Sequence, residues 1–218
     1  MQQPQSVAVI TGRHPYDVPA FQRMLRALPG IDAYPQSLED LASDASKARD
    51  SYDALVFYNF HQETPGEQEA AWWEGDVKAS LERIGQTQQG VVILHHALMA
   101  FRQWPFWSTL VGIAQRGRGY CPNVEMIVEI AAPDHPITQG LAPWTMVDES
   151  YTIDEPDPGM QILLTTQNPN SMRALAWAHM VGQARVFCYA AGHDAQAYNH
   201  PVFRTVLSRG IAWVTRRI

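Results

Sequence analysis

Histidines stand where strand-like runs end. His61 closes "YDALVFYNF" (52–60), His95 and His96 follow "VVIL" (91–94), and His193 comes just after "ARVFCYAA" (184–191). His14, beyond "SVAVITG" (6–12), is placed to join them. Imidazole has two uses in a site. It is a common ligand for zinc and related metals, and it is a general acid or base with an ordinary pKa of about 6.5. A metal site often adds a carboxylate. The segment "VDESYTID" (147–154) offers Asp148 and Glu149, followed by Tyr151. A charged side chain in an otherwise apolar strand needs a partner, so Glu149 either faces water or belongs to a site.

Singly, a loop histidine is an ordinary surface or capping residue. The joint placement points further, because ligands of an open parallel sheet bind beyond the carboxyl ends of its strands. Residues distant in sequence would converge there. His200, next to Pro201, reads instead as the cap of the last helix, and His135 in "DHPITQGL" (134–141) as part of a polar turn.

The stretch "VVILHHALMAF" (91–101) has the strand–turn–helix form of a nucleophile elbow. His95, His96 or Ala97 stands where Ser or Cys would be, which argues against a hydrolase with an elbow nucleophile. Cys188 lies in an apolar run and reads as a small buried hydrophobe. Cys121 sits in a loop beside Pro122. Two cysteines are too few for a disulfide framework or a cysteine-based zinc site.

The elements that must position these groups alternate in the first half. Strands are expected at 6–12, 31–35, 52–60 and 91–94. Between them, Asp17 caps a helix whose buried stripe is Phe21, Met24, Leu25 and Leu28. Ser37 to Asp40 forms a capping box. Thr64-Pro65-Gly66-Glu67 opens a helix reaching Gly85, with Trp73, Val77, Leu81 and Ile84 inward. Alternating strands and helices imply a doubly wound parallel sheet. After Trp104 the pattern changes to successive strands at 124–132, 144–153, 160–166, 173–179 and 184–191, with a hairpin turn at "HMVGQ" (179–183). The last helix turns Phe203, Val206, Leu207, Gly210, Ile211 and Val214 inward. With no repeats and no linker, the 218 residues are read as one domain.

Composition narrows the partners. At 46% hydrophobic and 17% charged the chain is globular. A net charge of −6 without basic runs argues against nucleic acid or an anionic membrane. No apolar run approaches a membrane span, and the first dozen residues lack the regions of a secretory signal. A cytoplasmic enzyme or binding protein is expected, with oligomeric state left open. Aromatic residues near the loops, such as Tyr16, Tyr58, Phe101, Trp104 and Tyr151, would suit the apolar faces of a sugar, although most such rings are ordinary core.

In order, "TGRHPYD", "ALVFYNFHQETPGEQ", "GVVILHHALMAF", "WPFWSTLVG", "DHPITQGL", "VDESYTID" and "GQARVFCYAAGHDAQAYNHPVFRTVLSRGIAW" resemble the ThuA-like (trehalose utilisation) family over residues 7 to 215. The resemblance implies a flavodoxin-like three-layer α/β sandwich, similar to class I glutamine amidotransferases. Its central sheet is mostly parallel with antiparallel additions, and the amidotransferase cysteine is absent. His95-His96 then occupies an inherited active-site position with different chemistry, and no glutaminase activity is expected. The resemblance implies a link to sugar and disaccharide catabolism, often beside oxidoreductases that make 3-keto sugars, and a divalent metal held by some members near the corresponding histidines and glutamate. Carried over residue by residue, the implied site is His61, His95 or His96, Glu149 and His193. His95 and His193 would be metal ligands or acid/base groups and Glu149 a metal ligand or base; His95, Glu149 and His193 form the expected metal set, with zinc as the default ion. Asp148 or Asp194 would accept a ring N–H from a ligand histidine. The implied function is an isomerase, lyase or hydrolase acting on a sugar or keto-sugar. The rival is a non-catalytic sugar- or partner-binding domain on the same scaffold.

Overall fold

The protein is described from a computed structural model covering residues 3–43, 47–66, 76–117 and 119–218. Strands β1 (Gln5–Gly12), β2 (Ile31–Gln36), β3 (Ala54–Asn59) and β4 (Gly90–Leu94) alternate with helices α1 (Val18–Arg26), α2 (Leu38–Ala42), α3 (Lys47–Asp50) and α4 (Val77–Glu82). Helix α5 (Pro105–Val111) precedes five strands: β5 (Tyr120–Ile130), β6 (Trp144–Tyr151), β7 (Gln161–Thr165), β8 (Ala174–Val181) and β9 (Ala184–Tyr189). Helices α6 (Ala195–Asn199) and α7 (Pro201–Val214) close the chain. The strand order is β2-β1-β3-β4-β9-β8-β7-β5-β6.

The first five strands in that order are parallel, and the remaining pairings are antiparallel. Strands β3 and β4 are buried throughout, as continuous apolar runs covered on both faces must be. Alternate residues feed two cores. Val7, Val9, Val56, Val92 and Phe187 pack with α1 and α7, while Ala8, Ile10, Phe57, Ile93 and Cys188 pack with α2, α4 and α5. This is the three-layer arrangement of an α/β sandwich.

Local signals account for most boundaries. Asp17 accepts from the Ala20 amide at the start of α1, and Ser37 and Asp40 form a reciprocal capping box on α2. The apolar stripe expected for α7 is buried at all six positions. Gly182 (φ +55°) and Gln183 make the two-residue turn between β8 and β9.

Two departures have physical causes. The helix expected from Thr64 does not begin there: Gly66 is left-handed at φ +86°, and the described helix starts at Val77 with Asp76 capping the Ala79 amide at 2.8 Å. Glu67 and Trp73 lie outside the described residues. Cys121, expected in a loop, lies in β5 opposite Ser150, because a bulge between Cys121 and Val124 lets the strand pass Pro122.

The antiparallel part is not a flat extension. β5 pairs with β7 only through Glu129 and Ile130, but with β6 from Tyr120 to Val128. The β5–β6 ribbon therefore leaves the sheet. Its Val124, Met126, Val128 and Met146 pack in the α1/α7 core together with Tyr189. This return carries the end of β6 to the carboxyl ends of β4 and β9.

Candidate functional site

The site starts at the end of β4. Leu94 is extended, and His95 turns the chain with φ +51° into a short 3-10 turn over His95–Met99. A left-handed non-glycine residue is held only where its surroundings over-determine it. Here the ring supplies the constraint. His95 is fully buried, and its Nδ1 lies 2.7 Å from the Ala190 carbonyl at the end of β9. That contact requires a proton on Nδ1. In the neutral ring the Nε2 lone pair then faces the other way.

Three groups meet that lone pair. His193 Nδ1 is 3.2 Å away, the Tyr151 hydroxyl 2.8 Å and Glu149 Oε1 3.5 Å. Glu149 Oε1 is also 3.6 Å from His193 Nδ1. His95, Glu149 and His193 thus present one ligand atom each, all within 4.8 Å of one another. A tetrahedral ion with ligand bonds of about 2.0–2.1 Å separates its ligands by about 3.3 Å. The edges of this triangle, 3.2, 3.5 and 3.6 Å, match that spacing. Side-chain exposure rises from 0% at His95 through 11% at Glu149 to 32% at His193, so the triangle opens to solvent on the His193 side.

Burial would raise the pKa of Glu149. The hydrogen bond and charge of His95, with His193 and Tyr151, outweigh it and hold the carboxyl below its usual range. Tyr151 is pushed well up, first by burial and then by the two neighbouring carboxylates, so its hydroxyl keeps its proton. Burial also raises Asp148, while His95 and the amides of Gly192, His193 and Glu149 pull the other way.

The other candidates divide. His14 does join the group: its ring stacks on His96 at 4.2 Å and meets His193 edge-on at 5.9 Å. His96 points its Nε2 at the Tyr58 carbonyl, 2.9 Å away, and shares no ligand atom with the triangle. Burial drives its pKa well down, with His95 and His14 adding to the effect. Burial likewise lowers His14. His61 is engaged to one side, with Nδ1 3.1 Å from Asn59 Nδ2 and its ring stacked on Phe101 at 5.7 Å. The charges that bear on it are Glu39, Arg13 and Glu63, not those of the triangle. His200 caps α7 and His135 holds its own turn, as their positions suggested.

The acceptor roles differ from those expected. Asp194 caps α6 through the Gln196 amide, and Asp148 accepts backbone amides, so neither receives a ring N–H. The Ala190 carbonyl serves His95 instead. A backbone acceptor has no side-chain signature, which hides it in sequence.

A family model described as trehalose utilisation matches residues 9–214. The chain belongs to the ThuA family. Among solved structures, a ThuA-like protein of Parabacteroides merdae superposes with TM-score 0.73 at 20% identity, covering 98% of this chain and 90% of that one. Another from Bacteroides uniformis gives TM-score 0.74 at 13% identity, covering 98% and 93%. A glutamine amidotransferase of Thermotoga maritima gives 0.57 at 10% identity, covering 96% and 98%. At such identities the likeness shows the fold alone. No curated protein matches the sequence closely. On this ThuA scaffold the turn after β4 holds His95, while Cys188 is buried in β9 with its thiol facing the Val111 carbonyl.

Proposed function

We propose that the protein is a metal-assisted enzyme of sugar metabolism acting on a sugar or keto-sugar. One observation carries the metal part: three ligand atoms from His95, Glu149 and His193 face one another at tetrahedral spacing, with the His95 tautomer set by Ala190. The sugar part rests on membership of a family described by trehalose utilisation, and on a lining of imidazoles, tyrosines and one carboxylate. Such a lining suits hydroxyl groups and the apolar face of a pyranose.

A divalent ion held there, zinc by default, would polarise a carbonyl or hydroxyl oxygen of the sugar and leave a coordination position open. The residues of the chain would do the rest. His95 and His193 hold their Nε2 and Nδ1 lone pairs inward. Glu149, kept ionised, either completes the ligand set or takes a proton from the carbon beside a ketone. Tyr151 keeps its proton; with His95 Nε2 committed to the ion, it donates to the Glu149 carboxylate. The stacked, neutral His14 and His96 wall the site without adding charge.

The test is protein purified without chelator, assayed for metal content and incubated with 3-keto-sugars. Conversion that is lost with chelator and with Glu149→Gln is expected. Sugar binding without conversion would overturn the enzyme proposal in favour of a binding domain.

A further inference from the structure

We infer that Asp148 is the positioning residue of this site, and that with Tyr58 and Tyr198 it sets where the His193 ring lies relative to Glu149 and His95. This rests on the metal proposal above for its purpose but not for its geometry. Asp148 is 2% exposed, and its hydrogen bonds go to backbone amides rather than to the ligand atoms of the triangle. Its Oδ1 accepts from two amides at once, that of Glu149 at 2.9 Å and that of His193 at 3.0 Å. Its Oδ2 accepts from the Gly192 amide at 2.6 Å. One carboxylate thereby fixes the distance between two ligand-bearing backbones that are 44 residues apart in sequence, one on β6 and one beyond β9.

The carbonyl side of the same two residues is held as well. The Tyr58 hydroxyl lies 2.8 Å from the Gly192 carbonyl and 3.3 Å from that of His193, and the Tyr198 hydroxyl lies 2.9 Å from the His193 carbonyl. The two hydroxyl oxygens lie 2.5 Å apart, so one donates to the other and the second proton goes to a carbonyl. Phe21 stacks on Tyr58 at 4.5 Å and fixes that ring in turn. Both amides of Gly192 and His193 thus have a partner, and their carbonyls share the tyrosine pair, in a buried setting where such bonds are hard to exchange for water. A carboxyl side chain suits the amide side, because its two oxygens accept all three N–H groups. Asparagine would turn an NH2 group towards at least one N–H.

The experiment is cobalt(II) titration of wild type, Asp148→Asn and Tyr58→Phe, read by calorimetry and by the visible absorption of the bound ion. Melting curves of the metal-free proteins are recorded in parallel. Asp148→Asn should weaken binding about 10–100-fold, as loss of an outer-shell partner does, and should alter the absorption bands. Tyr58→Phe keeps its ring stacking and should act in the same direction by a smaller factor, which preserves the test if the asparagine variant does not fold. In metal-free protein the imidazole 15N shifts of His95 and His193 report the contact between them, and both should move in either variant. Wild-type affinity, spectrum and 15N shifts in both variants would overturn the inference while leaving the metal proposal standing. Wild type that takes up no cobalt would sink the metal proposal, and the 15N shifts would still decide whether the clamp positions the ring.

Discussion

The two halves of the sheet contribute to the site in different ways. The parallel half supplies His14, His95 and His193 from turns just beyond β1, β4 and β9, and these turns are conformationally forced: Gly12 at φ +129°, His95 at +51° and Gly192 at +120°. The antiparallel half supplies Asp148, Glu149 and Tyr151 from within β6, a regular strand that reaches the site because its ribbon folds back. Turns at strand ends can aim a side chain but need something to hold them. A strand is rigid but must be delivered as a whole. Asp148 joins the two solutions, since a strand residue holds the turn that carries His193.

If this division holds, the largest effect comes from removing a turn-borne ligand. His193→Ala should abolish stoichiometric metal, so that adding zinc raises the melting temperature of wild type and not of the variant. At a free-ion concentration about 100 times Kd the wild-type gain is about 2.7 kcal/mol. An equal shift in both proteins would remove His193 from the ligand set.

Next comes the turn itself. At Gly192 a Cβ would lie 3.2 Å from Phe203 Cζ, whereas at Gly140, also left-handed at φ +74°, it would meet nothing within 4 Å. Gly192→Ala should cost roughly 1–3 kcal/mol in urea melts and weaken zinc binding about tenfold, as loss of outer-shell support does. Gly140→Ala should leave zinc binding at the wild-type value. Equal effects on zinc binding would mean that the forced turn has no special link to the site.

A smaller and graded effect is expected with pH. Burial lowers the pKa of His14 and His61 and drives that of His96 well down, all at the carboxyl edge; it also lowers His135 and His179 elsewhere. The unfolded chain takes up these protons near an ordinary pKa of about 6.5, while the folded chain resists. The histidine contribution to stability is therefore full above that pH and falls as the pH drops through it towards the lowered folded values, while the raised Asp148 works in the opposite sense. A group that stays neutral throughout in the folded chain contributes at most about 1.4 kcal/mol per pH unit. Urea melts at pH 7.5 and 5.5 check the sign, and equal or greater stability at pH 5.5 would contradict it. The smallest effect belongs to His61→Ala, which should change zinc affinity by no more than about twofold, the range of a substitution that breaks no key contact. A tenfold loss would return His61 to the site.

Much of this was legible in sequence because the signals were local. Apolar runs marked the strands, Asp17 and Ser37 marked helix starts, and the spacing from Phe203 to Val214 marked the buried face of α7. Helix α5 is hidden in the sequence pattern, although Pro105 at its first turn and left-handed Gly112 at its end are the usual punctuation. Its Trp-Pro-Phe-Trp composition obscured the period. The histidines at strand ends were visible, but which of them meet was not. His61 and His14 both follow parallel strands, and only tertiary contacts separate the one stacked on Phe101 from the one stacked on His96. The backbone partners of Asp148 and His95 leave no trace in residue type.

The most direct test of the central claim is anomalous diffraction from crystals soaked in zinc. A single strong peak about 2.0–2.1 Å from His95 Nε2, Glu149 Oε1 and His193 Nδ1 is the expected result. No peak there, or a peak elsewhere with the three side chains bonded only to each other, would contradict a metal-assisted site.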